Sequence, residues 1–338
     1  MVSVVVPTHN RLHMLEESLL SLVHQTLAPE HYEIIVVDSR STIRAESLVQ
    51  DFVKKYPQHH FVYFYNEMNG GWPDTRHKGI DLAQYELIVS GDDDFIADPG
   101  YLQGAVDAFA LDPKIGLVVG RLLPKYLAEP PCFVEELWTK CPGGRVLVDF
   151  TLLDLGDEVR DVAHQYVMAP TMAFRRSDYE LTKGYAPDGF GKDFLYANGT
   201  GETFLTETFA ALGVRIIYQP KMLAYHQIDE RRFRPEYFRA RSFFYGLGNS
   251  FTLTRKLGRP LTLFQLSKQM GRTILSLGKS FVLSRGVRRD FFFWKGFFYH
   301  QSCLRTYSFL LPYVLRESWK NFDYSSLPPI SLNEYALW

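Results

Sequence analysis

A chain of 338 residues with 46% hydrophobic side chains can bury a substantial core, and its length suits one large domain with a smaller appendage. Its formal charge is only −1, yet residues 1–230 hold 19 Lys/Arg against 33 Asp/Glu and residues 231–338 hold 18 against 5, so an anionic surface is the expected partner of the C-terminal part alone. Three cysteines (Cys132, Cys141, Cys303) without metal-ligand spacing argue against a disulfide framework and for a reducing, cytoplasmic setting; no apolar run reaches the length of a membrane span, and Val2–Val6 is too short for a signal-peptide core.

In chain order, Val2–Val6 is a β-branched run that Pro7 ends, and Leu12, Leu15, Leu19, Leu22 and Val23 follow at helical spacing. Glu33–Asp38 repeats the pattern as a second buried strand with a carboxylate at its C-terminal end. A helix over 44–55, a strand over Phe61–Tyr65, a loop from Asn69 to Pro73, a helix over Thr75–Gln84 and a strand over Glu86–Ser90 come next. Strand and helix alternating with short links predict an α/β fold with a mostly parallel sheet covered on both faces. Residues 122–165, broken by Pro124, Pro130, Pro131, Pro142, Gly143 and Gly144, are less regular; Phe133 and Trp138 there could stack on a sugar or a lipid, or serve as packing groups. Tyr166–Arg175 reads as a strand, and Gly184–Gly201 has the composition of a mobile loop able to close over substrate.

The strand at Leu87–Ser90 runs into Gly91-Asp92-Asp93-Asp94. Three adjacent carboxylates repel one another, so a cation is their natural companion, and in an extended chain Asp92 and Asp94 point the same way, toward one hard divalent ion. The competing reading is an acidic loop that caps the next helix. In such sheets ligands bind beyond the carboxyl ends of the strands, where Asp38, Arg76 and the acidic turn all fall. Asp38 could accept from a ribose hydroxyl or a base N–H, or cap a helix; Arg76 could neutralise phosphate with its forked donors, or be a solvated cation. Together they describe a nucleoside-diphosphate site with a metal. Glu202, in Gly199-Thr200-Gly201-Glu202 before a helix marked by Phe204, Leu205, Phe209 and Leu212, lies where a helix dipole would keep a general base ionised.

These residues carry a resemblance. Val2–Thr26, closing Leu22-Val23-His24-Gln25-Thr26, resembles the opening of family 2 glycosyltransferases of the GT-A fold, and the likeness continues in the family's order. It runs through Tyr32–Thr42, Asn69-Gly70-Gly71 with Arg76 and Gly79-Ile80, Gly91–Pro99, Met172–Ser177, Gly201-Glu202 and Pro220–His226. Three positions depart from the family: Asp38 is followed by Ser39 and Arg40 where a second Asp or Asn is common, His77 stands where Asn is usual, and Glu202 is followed by Thr203. The resemblance implies a catalytic domain over 1–230, with a donor half to about 121 and an acceptor half from about 122. It implies nucleotide-sugar binding by Pro7, Thr8, Asn10, Arg11, Asp38, Arg76, Asp92 and Asp93, and Mn2+ or Mg2+ on Asp92, Asp94 and His226. Glu202 becomes the base of an inverting transfer, with Glu207 and Asp193 as substitutes, to a glycan or lipid-linked acceptor of the cell surface.

The segment 231–338 is different material. Arg231–Arg234, Tyr237–Tyr245 and Arg288–Tyr299 interleave cations with aromatic rings, as a monotopic element in an anionic membrane interface would; a helical appendage packed on the catalytic domain is the alternative. Nucleic acid is disfavoured, since the first half is acidic and no nucleic-acid motif occurs. The missing Gly-x-Gly-x-x-Gly after the first strand disfavours a dinucleotide oxidoreductase. A nucleotidyltransferase on a similar sheet and a scaffold that has lost catalysis remain as rival classes. The expected location is peripheral, at the inner face of the cell membrane.

Overall fold

The computed structural model describes residues 1–68, 70–270 and 289–330; Asn69 in the family-like loop, and 271–288 and 331–338 of the basic extension, lie outside the described residues. The first four strands are β1 (Val2–Thr8), β2 (Tyr32–Ser39), β3 (His60–Asn66) and β4 (Leu87–Ser90), and they pair in parallel in the order β3-β2-β1-β4. Alternation along the strands decides which layer each side chain enters. Val2, Val4 and Val6, with Ile34 and Val36, join the core beneath helices α1 (Leu12–Val23), α2 (Glu46–Lys55) and α4 (Tyr101–Leu111); Val5, Ile35 and Val37 join the opposite core, against Ile80 of α3 (Gly71–Leu82). Helix α3 starts earlier than its pattern predicts, because Pro73 fits a first turn, where no N–H partner is needed.

Parallel pairing ends at β4. The chain continues through β5 (Phe95–Ala97) and β6 (Ile115–Tyr126), a short helix α5 (Phe133–Glu136), and the strands β7 (Thr139–Cys141), β8 (Gly144–Leu147), β9 (Leu152–Asp154) and β10 (Arg160–Asp161). Strand β11 (Met172–Arg175) lies antiparallel between β4 and β6, and β7, β8 and β9 extend the sheet beyond β6 as antiparallel neighbours. The expected strand over Tyr166–Arg175 is therefore short, since 3-10 turns around Pro170 occupy its first half. After α6 (Arg176–Leu181) and α7 (Glu202–Ala211), the long strand β12 (Arg215–Ile228) pairs in parallel with β6 and antiparallel with β5, which brings His226 opposite Phe95, next to the acidic turn.

The basic extension is built into this body. Helix α8 (Pro235–Leu257) crosses α9 (Arg289–Thr306) at two glycines: a Cβ on Gly246 would overlap the Phe293 carbonyl, and one on Gly296 the Phe243 carbonyl. Beside this crossing Ser250, Thr254, His300 and Gln301 form a buried hydrogen-bonded group, with Ser250 Oγ and His300 Nδ1 2.7 Å apart. Helix α10 (Leu310–Val314) and residues up to Ile330 return to the catalytic part, where Leu310, Tyr313, Trp319, Tyr324 and Leu327 share one core with Ala186, Phe190, Tyr196 and Phe204. At the other end, Phe233 and Phe238 pack with Phe150 in the core beneath α1. Phe133 meets Phe238 edge-on and the guanidinium of Arg145 covers Trp138, so both aromatics have packing partners within the protein.

Candidate active site

Backbone geometry at the end of β4 differs from the extended form expected there. Phe95 N–H donates to the Asp92 carbonyl, closing a turn over Asp92–Asp94, so the side chains of Asp92 and Asp94 do not line one edge. Each carboxylate has its own guanidinium. Arg76 Nη2 donates to Asp92 Oδ1 (2.7 Å); Arg11 Nη1 reaches Asp93 Oδ1 (3.1 Å) and Asp94 Oδ2 (3.0 Å); Arg232 Nη2 donates to Asp94 Oδ2 (2.7 Å). Three cations of the chain thus balance three anions, and the turn does not depend on an external ion for neutrality. Thr8 Oγ1 adds a bond to Asp93 Oδ2 (2.9 Å), and Pro7 lies within β1 just before it.

The donor set offers a metal two ligands side by side. His226 Nδ1 lies 2.8 Å from the Phe150 carbonyl, which only accepts, so Nδ1 carries the proton and the Nε2 lone pair faces Asp94 Oδ2 at 3.3 Å. Asp92 Oδ1 is engaged by Arg76, and among the described residues no three His, Cys, Asp or Glu side chains are close enough together to hold an ion by themselves. One imidazole and one carboxylate suit Mn2+ or Mg2+ as a partial shell. Although burial works against ionisation, the guanidiniums of Arg232 and Arg11 beside it hold the Asp94 carboxyl well below the usual carboxylate range.

Arg76 and Asp38 have different surroundings. Arg76 is almost completely buried, and its Nε and Nη1 protons have no partner in the protein, which leaves donors ready for an anion. Asp38 is fully buried and accepts from the backbone N–H of Ser41 (3.0 Å) and Ala45 (2.8 Å) and from the Tyr63 hydroxyl (3.2 Å). Its carboxylate thereby organises the loop ahead of α2, the local capping role. Asn10, at φ 55°, ties the same loop down: its N–H donates to Ser41 Oγ and its side-chain oxygen accepts from Thr42 N–H.

Glu202 opens α7 as expected, immediately after Gly201 at φ 50°, where an added Cβ would strike Trp72. Burial raises its carboxyl above the ordinary value, opposed by its own backbone N–H, Arg241 and Arg76 and reinforced by Asp92, so the helix terminus does not dominate. Asp188 is a neighbour that the sequence did not single out: burial and the Glu202 charge push it up to about 7. Arg232 and Arg241 also escaped notice, because both come from the basic extension, where they were counted as surface charge. Of the substitutes, Asp193 is exposed and Glu207 lines a separate cavity of about 200 Å3 with Arg255 and Lys256.

Gly184–Gly201 is anchored along its length. Tyr185 N–H donates to His77 Nε2 (2.9 Å), and burial pushes that imidazole down to about 3, so it stays a neutral acceptor. Phe190 N–H donates to Asn198 Oδ1, Tyr313 Oη to the Ala197 carbonyl, Tyr196 Oη to the Pro328 carbonyl and Ile330 N–H to the Asp193 carbonyl. The closing motion expected of a free loop is opposed by the C-terminal strap, which holds it from several sides.

A parallel βα sheet continued by antiparallel strands, with an acidic turn at the end of β4 and a late histidine beside it, defines a GT-A transferase. Residues 3–127 match the family described as Glycosyl transferase family 2, and the relatives and solved structures that the chain resembles are glycosyltransferases. It is 25% identical over 248 residues to glucosyl-dolichyl phosphate glucuronosyltransferase of Haloferax volcanii, covering 72% of this chain and 75% of that protein. Against poly(ribitol-phosphate) beta-glucosyltransferase of Bacillus spizizenii it is 36% identical over 123 residues, 36% of this chain but only 19% of the relative. The fold is shared with a mannosyltransferase of Pyrobaculum calidifontis solved with GDP-Man and Mn2+, at TM-score 0.53 and 18% identity, over 93% of this chain and 72% of that one.

Proposed function

We propose that this glycosyltransferase moves a sugar from a nucleoside-diphosphate donor to a hydroxyl of a glycan or lipid-linked acceptor, with inversion at the sugar carbon and Glu202 as general base. One observation carries the reading: the Trp72 ring lies under the Arg76 guanidinium and against Gly201, the residue before Glu202, which supports a single site for the proton acceptor and the diphosphate-binding cation. The acceptor O–H gives its proton to the Glu202 carboxylate as the new C–O bond forms, and the bond from the sugar carbon to the diphosphate oxygen breaks with its electron pair going to the leaving group. Burial suits Glu202 to this task, since a base whose pKa is raised toward the working pH binds the proton more readily. The unpartnered Nε–H and Nη1–H of Arg76 are donors for the phosphate oxygens. Asp94 and His226 would hold a divalent cation, Mn2+ or Mg2+, which supplies positive charge to the departing diphosphate. The GDP-Man and Mn2+ of the Pyrobaculum enzyme are consistent with this choice of donor class and metal.

The acceptor is delivered at a membrane. Among the described residues no helix is long and apolar enough to cross one, but Leu263 (77% exposed), Phe264 (79%) and Met270 (52%) present apolar side chains beside Arg259 and Lys268. Apolar groups flanked by cations match an anionic bilayer surface at the cytoplasmic face. The lipid-linked substrate class in the name of the Haloferax relative agrees with such a location.

Thermal melts with a panel of nucleoside diphosphates, with and without Mn2+, test the donor site, because a ligand bound only by the native state must raise Tm. Product analysis separates the rival chemistry: release of pyrophosphate from a nucleoside triphosphate would establish a nucleotidyltransferase. Absence of turnover with every nucleotide sugar would favour a scaffold.

A further inference from the structure

The group nearest to the two metal-ligand candidates is a cation of the chain itself. Arg232 donates from Nη2 to Asp94 Oδ2 at 2.7 Å and from Nη1 to His226 Nε2 at 3.1 Å, so one guanidinium bridges both candidate ligands, whereas Arg11, also on Asp94 Oδ2 at 3.0 Å, makes no contact with His226 and turns its charge equally to Asp93. The tautomer is fixed by the Phe150 carbonyl on Nδ1, so His226 Nε2 can only accept here. The placement of Arg232 follows from its short 3-10 turn, Glu230–Phe233, between β12 and α8. Asp229 Oδ1 caps that turn at Arg231 N (2.9 Å), and Phe233 is buried against Phe150 and Tyr126, which sends the intervening side chain back toward the acidic turn.

A guanidinium does not vacate such a position by losing its proton, because it stays charged at any working pH. It has to swing away, and a short turn whose neighbour Arg231 is exposed leaves room for that. Leaving Asp94 breaks a charge-assisted hydrogen bond, a loss that a new anionic partner offsets; the diphosphate of an incoming donor is such a partner, matched by the same planar fork. We infer that Arg232 is a tethered placeholder cation that keeps Asp94 and His226 from a divalent ion until a nucleoside diphosphate draws it off, so that metal and donor bind cooperatively. This rests on the metal reading given above and adds a positioning role for a residue of the extension. By linkage, whatever factor the nucleotide adds to metal affinity the metal adds to nucleotide affinity.

The test is a titration of the full chain with Mn2+ alone, followed by the free-ion paramagnetic resonance signal, then repeated with UDP and with GDP. In the wild type the better nucleoside diphosphate should tighten Mn2+ binding by on the order of tenfold, within the usual range for coupled sites. Arg232→Gln should bind Mn2+ without nucleotide about tenfold more tightly than the wild type and lose most of the nucleotide effect. Arg232→Lys, whose single ammonium cannot reach both ligands in the same way, should fall between and serves if the glutamine variant does not fold. Arg231→Gln removes an equal charge one residue away, where the side chain pairs with Asp229, and should leave Mn2+ affinity unchanged. Unaltered nucleotide-free Mn2+ affinity in both Arg232 variants, beside a wild type that binds Mn2+ with nucleotide, would overturn the placeholder role and leave the metal reading standing. Equal tightening by Arg231→Gln would overturn it in favour of simple charge reduction. No Mn2+ binding by any chain with either nucleotide would remove the metal reading and this inference together.

Discussion

The N-terminal sheet and the C-terminal strap are both buried, but different interactions hold them. In β1 to β4, apolar residues alternate between two layers, each strand finds its neighbour in parallel register, and the helices that cover them come from the same N-terminal third, up to Leu111. The strap has no such repeat. Its rings at Tyr313, Trp319, Phe322 and Tyr324 stack edge-to-face on one another, and its anchors are single hydrogen bonds with residues over a hundred positions earlier, the Tyr313 hydroxyl donating to the Ala197 carbonyl and the Pro328 carbonyl accepting from Tyr196. The first region holds the acidic turn; the second holds the loop that leads to Glu202. A donor half fixed by regular secondary structure and a base fixed by irregular long-range packing should therefore fail in different ways.

The widest separation between the two regions should come from Glu202→Gln. Loss of a general base costs about 10²–10⁴ in kcat, while Tm shifts caused by nucleoside diphosphate should persist, since the donor half is untouched. A base must be ionised to act, so with burial raising Glu202, kcat/KM should fall in acid at a higher pH than an ordinary glutamate would set. Asp188→Asn, by removing a like charge, should move that acid limb to lower pH; an unmoved limb would assign the titration elsewhere.

Next in size, Trp319→Ala should remove about 3–5 kcal/mol by denaturant unfolding, the usual loss for a large aromatic in a closed core. Turnover should suffer along with stability, because the strap supports the Glu202 loop. Retention of full turnover at a temperature where the variant is still folded would separate strap from site.

Acid sensitivity gives a smaller effect. Burial holds His77 and His300 neutral in the fold, each pushed to about 3, whereas an unfolded histidine titrates near its ordinary value. The unfolded chain then binds protons that the native chain refuses, so stability is present above about pH 6.5 and declines as pH falls toward the folded value. His300→Gln should flatten that decline by about 1.4 kcal/mol per pH unit, read from unfolding midpoints between pH 6 and 4. Leu263→Ser with Phe264→Ser should be the smallest in stability, within about 0.5 kcal/mol, because both side chains are largely exposed. The same pair should lose flotation with anionic vesicles at low salt, and unchanged flotation would sink the membrane assignment.

Much of the first half was legible in the sequence because continuous apolar runs report burial directly: Val2–Val6 and Glu33–Asp38 are strands buried on both faces, as their composition predicts. The acidic turn and Glu202 at a helix start were readable for a related reason, since each adjoins a regular element, whereas His226, which lies beside Asp94, was singled out only by the family resemblance. What stayed hidden depends on distance along the chain. The turn over Asp92–Asp94 separates side chains that an extended backbone would align, and only the fold shows that Arg11, Arg76 and Arg232, spread over more than two hundred residues, converge on it. The anchoring of Gly184–Gly201 was equally invisible, because glycine and aromatic content are shared by free loops and by loops packed under a distant strap.

Tyr313, Pro328 and Ile330 hold the loop before Glu202 from the far end of the polypeptide. At about 5–20 residues per second of synthesis, the sheet strands that precede this strap emerge several seconds sooner and can pair while still tethered to the ribosome. With the roles proposed above, the nascent chain would form the donor side of the site before the loop that carries Glu202 is held in place, and a polypeptide released before the strap emerges should bind a nucleotide sugar without turning it over.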